Sequence, residues 1–427
     1  MPTGRLRILN ASTLLAVTLT GERFLRGSDM NDKLVVIEDG GVAVDSDGLI
    51  FAVGPTADVK SQTAGWSFDI EVDATGKSIL PGFVDGHSHP VWAGNRCHEF
   101  KMKLAGASYL DIHKKEGGIA FTAKCTKAAS EAELQQEVKR RFDRMIALGT
   151  TTVEAKSGYG FDTETELKQL RVLNAVSQEH PITVVSTFLG AHGVPPGLTS
   201  IQATRKVVDE MLPAVISERD RGLNSVEAID VFCEKGVFST EESEEILKAG
   251  KQCGLMLNFH GDELNPMSSG ELAGRVGADA VSHLEHVSAE GIKAMSIKPT
   301  FAVLLPSTAY VLRITPPPAR TLIDGGVPVA LGSDFCPNAH SLSMPFTMNL
   351  ACVMMKMTIN EAIVASTLNS AASIGKSHLC GSLEKGKWGD LIVVDAPYWE
   401  HIVYEMGDAP IVQVFKMGAR VFSNGLA

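Results

Sequence analysis

The feature that most constrains the fold is a series of eight short apolar runs between residues 79 and 335. The runs are ILPGFVDGHSH, GTTTVEAKSGYG, ITVVSTFLGAH, IDVFCEK, GLMLNFHGDE, AVSHLEH, TFAVLLP and PVALGSDF. Stretches with helical spacing of apolar residues, such as EAELQQEVKRRFDRMIALG, lie between several of them. This alternation is typical of βα units around a parallel sheet, and eight units close a barrel. We therefore predict an α/β fold built on a (β/α)8 TIM-type barrel.

The two ends of the chain have a different pattern. They contain short β-branched runs broken by Gly, Asp and Pro, namely KLVVIEDGGVAV and GLIFAVG near the start, and GDLIVVDAP and VQVFKMGARVFSNG near the end. We predict that both ends pair into one small antiparallel β domain of the sandwich type. The predicted parts are 1–79 and 383–427 for this domain and 80–382 for the barrel.

Charge and cysteine content narrow the class of function. The formal net charge is -11, with no block of basic residues, which argues against nucleic acid or an anionic membrane as partner and favours a small-molecule substrate. Seven scattered cysteines indicate free thiols in a reducing compartment. The apolar run from Ile8 to Leu19 is interrupted by polar residues, unlike a signal peptide. We predict a cytoplasmic protein.

Nearly every apolar run ends in polar, titratable residues. They are His87, His89, Lys156, His192, Glu234, His260, Glu263, His283 and Asp334. In a barrel these strand ends converge at the C-terminal face, where active sites lie. In an open sheet the same residues would line a crevice at a switch point. Either arrangement predicts one polar site.

Four of these residues are candidate metal ligands. His87 and His89 lie at positions i and i+2 of a strand, so both rings can face one side. A surface coincidence would explain an isolated HxH pair. His260 and Asp334 complete a ligand set, although singly they fit a core histidine and a helix cap. Together they favour a metal site, and three histidines with one carboxylate suit zinc or iron.

A metal ion at these ligands would make a hydrolytic site, because it acidifies water and polarises a carbonyl. Asp334 can accept the proton of the attacking water. Glu263 can pass a proton to a leaving nitrogen or hold a ring N–H, unless it is a simple surface acid. His283 can polarise the carbonyl or stabilise an oxyanion, whereas His286 fits a structural role. The candidate catalytic residues are therefore Glu263, His283 and Asp334.

The arrangement of these residues resembles the amidohydrolase superfamily. More specific segments resemble its imidazolonepropionase family: LPGFVDGHSHPVWAGNRCHEF, KLAGASYLDIHKKEGGI, GTTTVEAKSGYGFDTETELKQLRV, GAHGVPP, IDVFCEKGVF, NFHGDELNP and LLPSTAYVLR. Together they span roughly residues 80 to 345. The turn GSLEKGKWGDLIVVD also resembles the superfamily's return into the small β domain.

The resemblance implies hydrolysis of 4-imidazolone-5-propanoate to N-formimidoyl-L-glutamate in histidine degradation, with one Zn²⁺ or Fe ion per chain held by the four ligands above. It also implies a homodimer and substrate contacts. Arg96 matches the arginine that meets the propionate carboxylate, a good partner for a guanidinium fork. Tyr159, His192 and Glu263 match further substrate-binding positions, although Tyr159 and His192 also fit core packing.

One position departs from the family pattern. The family commonly has Asp-Phe-Asn-Pro where this chain has Asp334, Phe335, Cys336 and Pro337, followed by Asn338. A thiol cannot replace both the acceptor and the two N–H donors of an amide, so a substrate contact there is weakened unless Asn338 or backbone supplies it.

Three alternatives stay open at this point. One is another amidohydrolase, such as a cyclic imide hydrolase or a ring deaminase, against which Arg96 and the SGYG segment argue. A second is a two-metal site that uses Lys235 as a carboxylated ligand. A third is a non-catalytic scaffold that has kept the barrel, which should have lost its metal ligands.

Overall fold

The structure is a computed structural model that describes residues 2–106 and 117–425. The segment KLAGASYLDIHKKEGGI, which contributes to the family resemblance, lies partly outside the described residues.

Eight parallel strands form the predicted barrel. They are Phe83–Ser88, Thr150–Lys156, Thr183–Ala191, Val226–Cys233, Met256–Gly261, Ala280–His283, Phe301–Leu304 and Val329–Leu331. Each comes from one of the eight apolar runs, and neighbours pair in chain order. A parallel bridge between Ser88 and Phe335 joins the first strand to the segment after the last. The predicted barrel is confirmed.

Helices surround this barrel. They are Cys97–Leu104, Gly118–Ala128, Glu131–Ala147, Thr163–Glu179, Ser200–Lys206, Leu212–Asp220, Thr240–Gln252, Ser269–Val276, Ala289–Ile297, Pro306–Leu312, Ala319–Asp324, Met344–Met355, Ile359–Ala365 and Leu368–Ser373. A π-helical turn, Val207–Met211, joins the fifth and sixth of these. The predicted helix at Glu131 begins with a capping box between Ser130 and Glu133. No helix of the described residues is long and apolar enough to cross a membrane.

The chain ends share a second sheet of eight strands. They are Thr3–Val17, Val35–Asp45, Ile50–Pro55, Ser67–Asp73, Ser78–Pro81, Leu391–Val394, Ile411–Lys416 and Ala419–Ser423. Short helices Asp29–Asp32, Thr56–Gln62 and His401–Tyr404 accompany it. The first strand pairs parallel with the fourth and fifth, so the sheet is mixed rather than purely antiparallel. Strands from both chain ends bury one apolar cluster, which includes Leu14, Val393 and Phe415.

The first apolar run serves both sheets. Ser78–Pro81 pairs with the terminal strand Leu391–Val394, whereas Phe83–Ser88 begins the barrel. Gly82 lies between them, where an added Cβ would stand 2.3 Å from Thr151 Oγ1. Only glycine allows this close passage. Its N–H donates to Asp390 O at 3.0 Å, which links the two sheets.

The cluster shared by both chain ends should stabilise the fold. Phe415 is 0% exposed within it, so Phe415→Ala removes a buried ring and leaves a cavity. We expect the free energy of unfolding to fall by about 3–5 kcal/mol, measured by urea denaturation. Phe100→Ala is the matched control because Phe100 is 53% exposed, and its effect should stay within about 0.5 kcal/mol. Equal effects of both changes would contradict this role for the cluster.

Candidate active site

Barrel closure brings the ends of the first and last strands together. His89 N donates to Phe335 O at 2.8 Å, and Asp334 N donates to His87 O at 3.0 Å. Asp85 adds a side-chain link, since its carboxylate accepts a hydrogen bond from Ser333 N at 2.9 Å. Residues far apart in sequence therefore become backbone neighbours at the carboxyl end of the barrel.

Four side chains converge at this closure: His87, His89, His260 and Asp334. His89 Nε2 lies 3.2 Å from His87 Nε2 and 3.3 Å from His260 Nε2. Asp334 Oδ1 lies 3.6 Å from His87 Nε2 and 3.4 Å from His89 Nε2. Ligand atoms about 2.0–2.2 Å from a tetrahedral ion stand about 3.3–3.6 Å from one another. The observed spacing fits a small cation.

The protonation of the rings also fits a cation. His260 Nδ1 lies 2.8 Å from Asp230 Oδ1, and a carboxylate only accepts, so Nδ1 carries the proton and Nε2 presents a lone pair. His87 Nδ1 lies 2.7 Å from Ser282 Oγ. Burial lowers the pKa of His87 well below its usual value and the pKa of His260 to about 4, so both rings are neutral. Neutral imidazoles are the form that ligates metals.

Asp334 is held by a neighbouring hydroxyl. Thr308 Oγ1 donates to Asp334 Oδ2, which leaves Oδ1 facing the histidine rings. Burial opposes ionisation of Asp334, but its contacts with His89, His283 and Thr308 outweigh it and lower the pKa to about 2. Asp334 therefore carries a negative charge beside the histidine rings.

Glu263 and His283 form a second polar pair beside this cluster. His283 Nε2 lies 3.6 Å from Glu263 Oε2, and both residues are buried. Burial raises the pKa of Glu263 to about 8. Burial disfavours a charged His283, but the acidic groups Glu263 and Glu285 beside it outweigh burial and raise its pKa. Groups that keep protons near neutral pH are suited to proton transfer.

The loop that carries Glu263 is fixed by another carboxylate. Glu234, at the end of the fourth strand, accepts hydrogen bonds from Leu264 N at 2.9 Å and from Asn265 Nδ2 at 2.7 Å. The backbone of Asp262 has φ of 54°, the left-handed region that Asp tolerates. The loop after His260 is thereby turned so that Glu263 lines the cavity.

Backbone strain accumulates at two other strand ends. His283 and Leu284 have φ of 79° and 69°, and Asp334 has φ of 47°. Leu284 is a bulky side chain in this region, and its N–H donates to Gly261 O at 3.1 Å. Such strain persists only where surrounding contacts determine it, and it is common at functional sites.

One cavity joins the cluster to the predicted substrate residues. Its walls include Arg96, Tyr159, His192, Glu263, His283, Cys336 and Asn338. Arg96 Nε donates to Glu99 Oε2 at 2.7 Å, which orients the guanidinium. The ring of His192 stacks on His89 with centroids 5.0 Å apart. Asn338 shares the cavity with Cys336, so an amide side chain is still present in this region.

Comparison with known proteins agrees with this geometry. The amidohydrolase family model matches residues 78–421. The chain is 54% identical over 421 residues to a probable imidazolonepropionase of Dictyostelium discoideum, with 98% of each chain covered. It is 50% identical over 424 residues to a probable imidazolonepropionase of Nematostella vectensis, covering 98% of this chain and 99% of the other. The chain belongs to the imidazolonepropionase family of amidohydrolases.

A solved structure shows the same fold at lower identity. The crystal structure of an adenosine deaminase from Xanthomonas campestris with bound zinc matches this amidohydrolase with a TM-score of 0.72. The match covers 98% of this chain and 93% of the other at 18% identity, so it supports the barrel and the accompanying sheet rather than a shared substrate.

Two residues considered from sequence lie away from the cluster in this amidohydrolase. Lys235 and His286 are both exposed, and His286 belongs to none of the groups of potential metal ligands among the described residues. Sequence analysis also missed residues that orient the ligands, namely Asp85, Asp230, Ser282 and Thr308. The sequence assigns them no role, although Asp85 begins the DGHSHP motif, and Asp85 and Asp230 are acidic residues inside apolar strands, which is itself an unusual pattern.

The convergent ligands predict metal dependence on His260. We expect the purified protein to contain about one zinc or iron ion per chain and His260→Ala to bind it at least about 100-fold more weakly. Metal content by plasma mass spectrometry and competition with a chelator measure this. His286→Ala, which removes an exposed ring outside the cluster, is the control. Full metal content in His260→Ala would contradict the assigned ligand set.

Proposed function

We propose that the chain hydrolyses 4-imidazolone-5-propanoate to N-formimidoyl-L-glutamate, a ring opening in histidine degradation. The observation that carries this proposal is that His89 Nε2 stands 3.2–3.4 Å from His87 Nε2, His260 Nε2 and Asp334 Oδ1, in a cavity that Arg96 also lines. The first feature suits hydrolysis and the second suits a substrate with a carboxylate. The family relationship supports the same reaction.

His87, His89, His260 and Asp334 would hold one zinc or iron ion. A divalent ion in such a site supplies Lewis acidity towards a carbonyl oxygen and makes water more acidic. Zinc in the neighbouring adenosine deaminase structure and the neutral histidine rings support this assignment.

The remaining chemistry belongs to the side chains of the cavity. Asp334 accepts a proton from the attacking water as its oxygen bonds to the ring carbonyl carbon. His283 donates a hydrogen bond to the oxygen that gains negative charge. Glu263 delivers a proton to the ring nitrogen as the C–N bond breaks. The water adds across that bond, so the product carries a new carboxylate and an N–H.

Other residues of the cavity wall orient the substrate. Arg96 pairs with the propionate carboxylate, while Tyr159 and His192 contact the ring. His192 Nδ1 lies 3.1 Å from Gly158 O, so that nitrogen donates and Nε2 remains an acceptor for a substrate N–H. The proposed reaction uses this small molecule and water. We also infer that the protein is a cytoplasmic homodimer. The free state of all seven cysteines supports a reducing compartment, and the dimer rests on the family resemblance.

Ring opening is tested directly with 4-imidazolone-5-propanoate prepared in situ. We expect the metal-loaded protein to consume the imidazolone absorbance faster than spontaneous decay and to form N-formimidoyl-glutamate, while His260→Ala does neither. A protein that holds its metal and leaves this substrate intact would be a hydrolase of another cyclic amide. If the protein leaves this substrate intact and also lacks metal, the proposal that it is a metal-dependent hydrolase is wrong.

The assignment of Arg96 predicts a binding defect. Arg96→Met removes a charge-assisted hydrogen bond to the substrate carboxylate, worth about 1.5–3 kcal/mol, so KM should rise roughly 10- to 100-fold. Arg96→Lys should lie between, because it keeps the charge without the fork. Lys101→Met, an exposed residue of the helix that follows Arg96, is the control. An unchanged KM with a lower kcat would show that Arg96 acts elsewhere in the reaction.

A further inference from the structure

A buried lysine, Lys156, lies next to a residue that is bonded to a proposed metal ligand. It takes no part in the chemistry described above. Lys156 ends the second barrel strand and is 1% exposed. Its Nζ lies 2.6 Å from Glu154 Oε1 and 3.0 Å from Asp230 Oδ2. It is not among the described residues that line the active-site cavity. One ammonium group therefore bridges two buried carboxylates.

Asp230, one of these two carboxylates, is hydrogen-bonded to one proposed metal ligand. Asp230 lies in the fourth strand, and its Oδ1 accepts hydrogen bonds from His260 Nδ1 at 2.8 Å and from His260 N at 3.2 Å. The other oxygen, Oδ2, contacts Lys156. Because both the ring and the backbone of His260 bond to this carboxylate, the position of Asp230 sets the position of the ring.

Glu154, the other carboxylate, contacts the residue between the other two histidines. Glu154 Oε2 accepts a hydrogen bond from Ser88 N at 3.3 Å, and Ser88 Oγ donates to Glu154 O at 2.7 Å. Ser88 separates His87 from His89 in the first strand. Ser88 is thus bonded to Glu154 at its N–H and its hydroxyl, and the N–H is bonded to the carboxylate. These contacts limit movement of His87 and His89 on either side of it.

The positive charge of Lys156 is required to hold both Glu154 and Asp230 in place. Burial alone would favour a neutral amine, but Glu154 and Asp230 outweigh it and raise the pKa of Lys156. Without that cation two carboxylates would lie buried side by side, which is strongly unfavourable. They would separate or admit water, and the strands attached to them would move.

We propose that Lys156 is a positioning residue for the metal centre, holding ligands from the first and fifth strands in register through Glu154 and Asp230. The proposal rests on the proposed function, because it assumes that these histidines bind metal. Residues that orient metal ligands typically change metal affinity by about 10- to 100-fold when replaced.

The test measures zinc affinity rather than catalysis. Zinc-loaded wild type and Lys156→Met are titrated with a chelator, and zinc release is followed with a coloured indicator. Methionine keeps the volume and removes the charge. We expect release at about 10- to 100-fold lower chelator concentration in Lys156→Met. The matched control is Lys416→Met, which removes another buried lysine, paired with Asp390 in the terminal sheet. Its zinc affinity should equal that of wild type.

A second variant separates positioning from simple charge balance. In Glu154→Gln/Lys156→Met one of the two carboxylates beside the lysine position is also made neutral, so we expect this protein to be more stable than the single variant. Zinc affinity should stay at least about 10-fold reduced, because Asp230 still lacks its cation.

Three outcomes would overturn the proposal. They are zinc affinity in Lys156→Met within about twofold of wild type, an equal loss in Lys416→Met, and full recovery in the double variant. If the wild type takes up no zinc or iron, the proposed metal centre is wrong. This result can be distinguished from the three outcomes above.

Discussion

The backbone pairing that closes the barrel is the constraint on which the site depends. The hydrogen bonds from His89 to Phe335 and from Asp334 to His87 join the first strand to the segment after the last. The same four residues include three of the proposed metal ligands. The ligand spacing therefore exists only when all eight strands have closed in the correct register, and a metal that binds this spacing stabilises the closed barrel in return.

The carboxylates near the cavity differ in how firmly they are held. Asp230, Glu234 and Glu99 each bond to two or more partners and serve to fix other groups in place. Glu263 differs, since its oxygen lies 3.6 Å from His283, longer than a hydrogen bond. The tightly bonded acids provide a rigid frame, and the looser contact between Glu263 and His283 suits the proton transfer proposed for them.

The sequence predicted the eight barrel strands and the convergence of their polar ends, because periodicity and strand order are local properties. It did not predict that the first run is divided at Gly82, since that depends on contact with Thr151. Nor did it identify Asp230 or Thr308 as partners of ligands, because each acts on a residue of another strand. The roles of Arg96 and Glu263 remain predictions, although both side chains line the cavity.

The terminal sheet has a consequence for synthesis on the ribosome. Strand Ser78–Pro81 pairs with Leu391–Val394, so its edge waits for its partner until nearly the entire barrel has been translated. During that interval an apolar strand presents unpaired backbone groups, the arrangement that promotes association between nascent chains. The five N-terminal strands of this sheet can pair with one another early, whereas the edge at Ser78–Pro81 is completed last. A chaperone acting on this protein would therefore be needed most before the final strands emerge.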